Sequence, residues 1–310
     1  MPRAFTQGFK DTATIRNVPL MVNPTGKVFY VNNSGVKLAN AKVASNDGDG
    51  SFWKPYSTID HAINQCTAHR GDVIYVMPGH AETITGATGI VPDVAGVSIV
   101  GLGTGEKRPI ITAATSATAA IPISGANTTI KNLVFKCNIA SQNHMLDVKA
   151  DDVLIEDCEF REGTATGLSF ITADTADGDS DRLTIRNCKF HAPTAGNYDN
   201  AISLAKDFVG VRIEDCEIYG NFDDAGISVP AGGNAQVDLQ IGHCKVVNTL
   251  TGQHAIEINS TTNTGMIYNT YCVADTFDTI IDSGGLAMFN ALQHDNADQT
   301  YGTFAGTVAS

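Results

Sequence analysis

One tryptophan, Trp53, stands in a chain of 310 residues. A polysaccharide groove normally presents several aromatic platforms, so this shortage disfavours a sugar ligand, although tyrosines at 198, 219, 268 and 271 keep one open. No apolar run reaches the roughly 20 residues that a membrane span needs, and the opening MPRAFTQGFKDTATIRNVPLMV lacks the continuous apolar stretch of a signal peptide. The expectation is a protein without membrane contact or signal-directed export. Basic residues are scarce: beyond Asp224 only Lys245 remains, whereas Arg3, Lys10, Arg16 and Lys27 outnumber the single Asp11 near the start. The net charge of −13 repels nucleic acid and acidic polysaccharide, so a partner held by charge is a protein surface gripping the basic leader. The seven cysteines are odd in number, widely spaced and outside any metal or redox motif, which argues for reduced core thiols and against disulfides, metal or cofactor.

What the sequence does have is a phrase written over and over: LIEDCEF at 154–160, LTIRNCKF at 183–190, VRIEDCEI at 211–218 and LQIGHCKV at 239–246. Aligned on its isoleucine, the phrase extends to Ile99, Ile130, Ile155, Ile185, Ile213, Ile241 and Ile267, in steps of 31, 25, 30, 28, 28 and 26 residues. Such a period is that of a solenoid. A second apolar alternation precedes each phrase from the second onward, at Ile121/Ile123, Leu146/Val148, Leu168/Phe170, Ile202/Leu204, Ile227/Val229 and Ile256/Ile258, so each repeat carries at least two strands. Within the phrase the period-two pattern slips by one residue, and the slot at the slip reads Gly101, Asn132, Asp157, Asn187, Asp215, His243, Asn269. These types best tolerate a left-handed backbone, which makes the slot a structural corner column.

Stacking in register is tested by the outward positions. The residue after the isoleucine reads Val100, Lys131, Glu156, Arg186, Glu214, Gly242, Tyr268, and the one after the cysteine slot reads Val134, Glu159, Lys189, Glu217, Lys245, Tyr271. Alternating sign is favourable only between neighbouring strands. Cys158, Cys188, Cys216 and Cys244 then form a core thiol column beside Phe135, Phe160, Phe190, Ile218, Val246 and Cys272. Thiols pack well in a narrow coil, and serine in their place is expected to suffer more than alanine by burying an unpaired hydroxyl.

Upstream stand VFYVNNSG at 28–35, NDGDG at 46–50, KPYSTIDHAINQC at 54–66 and GDVIYVMPGHAETI at 71–84. Ser57 is placed to cap a short helix with Asp60 three residues on, and Ile59, Ala62, Ile63 and Cys66 form its apolar face. Together with the repeated phrase, these stretches resemble the pectate-lyase-like right-handed parallel β-helix superfamily, most of all the β-helix virion proteins of tailed bacteriophages. The resemblance implies an all-β, single-stranded right-handed parallel β-helix of seven or eight rungs with an N-terminal capping helix. Its domains are an arm and first strand at 1–45, the coil at 46–290 and a tail at 291–310.

The resemblance also implies chemistry to look for. Pectate lyases use carboxylate-bound calcium and a basic residue that abstracts a proton, and related polygalacturonases use several aspartates and a histidine. FDDAGISV at 222–229 and IGHC at 241–244 are the nearest matches. Adjacent Asp223 and Asp224 are expected on opposite faces of a strand, and His243 belongs to the corner column, so no catalytic residue is assigned. Asp174 to Asp181 lacks the spacing of a calcium loop and reads as solvated, His80 and Glu82 read as part of the first turn, and GLGTG at 101–105 reads as a turn. The expectation is a non-enzymatic capsid decoration (cement) protein assembled into a virion in the host cytoplasm. It is expected to be a homotrimer docked on the major capsid protein or another virion protein through Arg3, Lys10, Arg16 and Lys27. The alternatives are a tailspike-like protein that binds or degrades polysaccharide, as lyase or hydrolase, and an adhesive fibre module.

Overall fold

The computed structural model describes residues 26–33 and 43–295 apart from 140, 164–166, 175–179, 195–197, 232–234, 260–261 and 276–279. It also gives the backbone of the strands Ala13–Ile15, Val18–Leu20 and Tyr301–Thr303. Arg3, Lys10 and Arg16 lie outside the described residues. Lys27 is exposed, and its backbone N–H donates to Asp72 Oδ1 at 2.7 Å, which ties it down just before the first strand of the coil, Val28–Val31.

The chain winds as a right-handed parallel solenoid of about seven turns. Each full rung has three strands, one more than the two legible in the sequence. The first sheet holds the seven strands before the phrase, from Ile121–Ile123 to Ile281–Asp282. The second holds ten, from Val28–Val31 to Ala287–Phe289, and contains the isoleucines in register: Ile99, Ile130, Ile155, Ile185, Ile213, Ile241, Ile267. The third lies beyond the corner and carries Phe135, Phe160, Phe190, Ile218, Val246 and Cys272 as one inward column. Phe135, Phe160 and Phe190 stack with centroids 5.0 and 4.7 Å apart.

Asn132, Asp157, Asn187, Asp215, His243 and Asn269 have φ between 47° and 56°, and Asn290 continues the column at 51°. Each of the first six donates its backbone N–H across to the next rung, as Asn187 does to Glu214 O at 3.0 Å. Gly101 departs from the expectation. It ends the strand Ser98–Gly101 without a left-handed φ, and it is glycine because a Cβ there would lie 2.2 Å from Asn132 O. The first corner is instead a longer turn with a 3₁₀ segment at Gly105–Lys107.

A second left-handed column, not recognised in the sequence, lies three residues before Ile74 and before each isoleucine from Ile99 to Ile241: Gly71, Gly96, Asn127, Asp152, Arg182, Gly210, Asp238. Arg182, at φ 58°, is an unusual occupant and is held by Asp151 at 3.0 Å and Asp152 at 2.6 Å. The first sheet also slips. In the third rung Ile171 and Ala173, not Leu168 and Phe170, align with Ile202 and Leu204. Leu168 is 52% exposed, while Phe170 and Ile171 are both buried, so strict alternation fails there.

The helix Ile59–Ile63 lids the first turn with Ile59, Ala62 and Ile63 buried. Its cap is Thr58, which accepts from His61 N; Ser57 is turned away by its own bonds to Asn46. His80 and Glu82 complete this end: Asn33 N donates to His80 Nδ1, His80 Nε2 meets Glu82 Oε2 at 2.9 Å, and the same oxygen accepts from Ile59 N.

Each thiol of the column is free and buried, and donates to the carbonyl two residues before it. Cys188 bonds Arg186 O at 3.3 Å and Cys216 bonds Glu214 O at 3.2 Å. Thr270, in the same slot, makes the same bond with its hydroxyl at 2.9 Å. A hydroxyl is therefore satisfied in this column, which removes the premise that serine would bury an unpaired hydroxyl.

Candidate active site on the first sheet

The outer face of the first sheet carries a row in unbroken register: Pro122, Asp147, Thr172, Ser203, Ser228, Glu257, Asp282. The slip of alternation brings histidines onto this face. His144 reaches Asp147 at 3.4 Å and His254 reaches Glu257 at 3.9 Å, both at spacing i,i+3, which a strictly alternating strand would place on opposite sides.

The strand Phe222–Val229 holds one residue more than its neighbour, because Tyr198 pairs with Phe222 while Asn200 pairs with Ala225. This bulge breaks the alternation at Asp223 and Asp224. Asp224 accepts from Ser228 Oγ at 3.1 Å and lies beside Glu257, and both aspartates raise Asp199 in the adjacent strand. A bulge gathers side chains in this way by re-aiming one of them. The result is a carboxyl group of four: Asp199, Asp223, Asp224, Glu257.

The electrostatics follow from burial and like charge. Burial, then the hydrogen bond with Asp224, pushes Glu257 up to about 7. Asp199 is raised by burial and then by Asp223 and Asp224. Asp147 behaves oppositely: burial pushes it up, but His144 and Lys149 outweigh this and hold it low. One face thus holds a carboxylic acid and a carboxylate in unlike states, four rungs apart.

Among the described residues no three His, Cys, Asp or Glu side chains are grouped to hold a metal ion. Of the Asp174–Asp181 stretch, only Asp174, Ser180 and Asp181 are described. His243, in its corner slot, faces Asn269 at 3.1 Å. Tyr198 is buried against Phe170, and Tyr268 donates to Glu214 at 3.1 Å. Tyr219 and Tyr271 are exposed on the third sheet, so they do not line this face. Sequence reasoning missed Glu257 and Asp199 because neither lies in the repeated phrase; the signal was a one-residue excess in FDDAGISV against its neighbours.

A family model for the right handed beta helix region matches residues 96–246. The chain is similar in structure to the pectate lyase Pel9A, at 11% identity and TM-score 0.52, covering 88% of this chain and 78% of that one. A rhamnogalacturonan lyase gives 14% identity and TM-score 0.49 over 80% and 74% of the two chains. The GH136 lacto-N-biosidase from Eubacterium ramulus gives 10% and 0.47 over 87% and 55%. No curated protein sequence matches. At these identities the likeness is one of fold, and the chain is a right-handed parallel β-helix.

Proposed function

We propose that the chain cleaves a polysaccharide laid along the first sheet, with Glu257 protonating the leaving oxygen and the exposed Asp223 taking the proton of the attacking water. The observation that carries this is Glu257, half-buried beside Asp224 and raised to about 7, next to the strand that carries the exposed Asp223. Hydrolysis of a glycosidic bond needs such a division between acid and base. The fold is compatible with polysaccharide chemistry, since a similar structure is named as a pectate lyase.

The test is release of new reducing ends from a panel of capsular, plant and host-surface polysaccharides. Glu257→Gln and Asp223→Asn should each lower kcat by about 10²- to 10⁴-fold on any substrate cleaved, with little change in melting at pH 5. Full activity in Glu257→Gln would remove the acid from the scheme.

A second reading rests on charge. A basic leader on an acidic body suits a virion decoration protein whose arm lies along a capsid surface. It is favoured if the parent chain cleaves nothing on the panel while co-sedimenting with particles.

A further inference from the structure

Outward charges that meet in register on the second and third sheets are opposite in sign, as at Lys131/Glu156, Glu156/Arg186, Glu159/Lys189 and Glu217/Lys245. One row breaks this rule. On the third sheet Lys136, Arg161, His191 and Tyr219 follow one another on consecutive strands in direct register, and all four are exposed. Lys136 thus stands opposite Arg161, and Arg161 opposite a histidine, a placement that costs stability. A local rule broken with no gain to the fold marks a place where something else is bound. The acids nearby do not cancel the row. Glu159 is shared between Arg161 at 2.6 Å and Arg108 at 3.1 Å, and Glu217 between Lys189 at 3.4 Å and Lys245 at 3.6 Å, so each carboxylate of this face answers two cations. Glu162 spends both oxygens on Thr194, and Glu106, which acts on Arg161, is followed by Lys107. Among the described residues neither Lys136 nor His191 lies within ion-pair distance of a carboxylate. The row ends in an aromatic face, because His191 and Tyr219 stack with centroids 5.6 Å apart and planes at 18°.

We propose that this row is a binding strip for a sugar chain carrying sulfate or phosphate esters, laid across the rungs with its oxyanions on Lys136 and Arg161 and a ring on Tyr219 and His191. Arg161 gives only its Nε to Glu159, so the outer nitrogens of its fork are left for an oxyanion. The cations repeat at one strand spacing, about 4.8 Å, close to the rise of one pyranose unit in an extended chain. An ester group stands further off the ring than a uronic carboxylate, so it reaches the cations while the ring stays clear of Glu159 and Glu217. The strip lies on the third sheet and does not depend on the cleavage reading, which uses the first.

The experiment is calorimetric titration of the full chain at about 0.15 M salt, where a Debye length of about 8 Å screens the distant acids but not groups in contact. The probes are size-matched dextran, dextran sulfate, phosphorylated dextran and a thymidine oligonucleotide. Either charged dextran bound at least tenfold tighter than dextran, and tighter than the oligonucleotide, supports the proposal, and the stronger of the two identifies the ester. Lys136→Ala combined with Arg161→Ala should weaken that binding at least tenfold. Lys27→Ala combined with Lys54→Ala removes the same charge from exposed positions at the N-terminal end of the coil and should leave it within twofold, as should Glu257→Gln. Lys136→Ala alone should melt no lower than the parent, since it relieves a like-charge pair. Binding of both charged dextrans within tenfold of dextran, equal or tighter binding of the oligonucleotide, undiminished affinity in the strip variant, an equal loss in the control variant, or a lowered melting temperature in Lys136→Ala would each overturn it. The cleavage reading fails separately, through full activity of Glu257→Gln.

Discussion

A single residue in a left-handed corner tests the backbone and little else. Asn187 has φ 50°, and its amide donates to Asp157 in the rung before. Asn187→Gly and Asn187→Val both delete that bond, but only valine meets the steric penalty, so valine should unfold at lower denaturant by about 1–2 kcal/mol. At Cys216 the order of substitutions follows from Thr270: serine can donate to Glu214 O, whereas alanine abandons that carbonyl and leaves a cavity. Cys216→Ser should therefore be no worse than Cys216→Ala, each costing about 1–2 kcal/mol in denaturant melts. Burial holds the Cys188 thiol well above its ordinary range, so native-state alkylation should be slow. Glu257 supplies a pH signature. Its folded value, about 7, lies above its ordinary 4.5, so its contribution is present at low pH and is lost as pH rises through about 7. Glu257→Gln should match the parent near pH 4 and exceed it at pH 8 by about 1–3 kcal/mol, read from melts across pH.

At the scale of strands, the columns legible in the sequence were those whose occupants differ by sign or size. Glu156 lies between Lys131 and Arg186, at 2.7 Å from each, and Glu217 lies between Lys189 and Lys245 at 3.4 and 3.6 Å. Such alternation has no reason to exist in another register. Glu156→Lys sets three like charges in a row and should destabilise by about 1–3 kcal/mol, less at 1 M salt, as melts at two ionic strengths would show. The second left-handed column stayed hidden because Gly, Asn and Asp before a strand read equally well as ordinary turn residues, and because Arg182 breaks the pattern. The slip in the first sheet was illegible for a different reason: LSFI at 168–171 offers two alternations, and only packing of Phe170 against Phe190 and Tyr198 chooses between them. The bulge at Asp223–Asp224 follows from a comparison of strand lengths that no single strand displays.

For the molecule as a whole, each rung touches only its neighbours, so the ends decide whether the stack opens. At the N-terminal end the lid is tied by Glu82 to Ile59 N and by Asp72, which accepts from Arg70, Thr67 and Lys27. Removing residues 1–25 spares all of these bonds and should leave the melting temperature within about 2 °C, while it should abolish particle association if the arm is the anchor; sedimentation with capsids decides that. Removing Lys27 as well would take a bond from Asp72 and confuse the two effects.

The in-register row on the first sheet has one more consequence. Its length is quantised: excising one turn, for instance the 28 residues from Ile185 through Arg212, would join like to like and draw Asp147 one strand spacing nearer to Glu257. The coil would then act as a gauge. Any two groups on that row are separated by whole steps of about 4.8 Å, an increment set by backbone geometry alone.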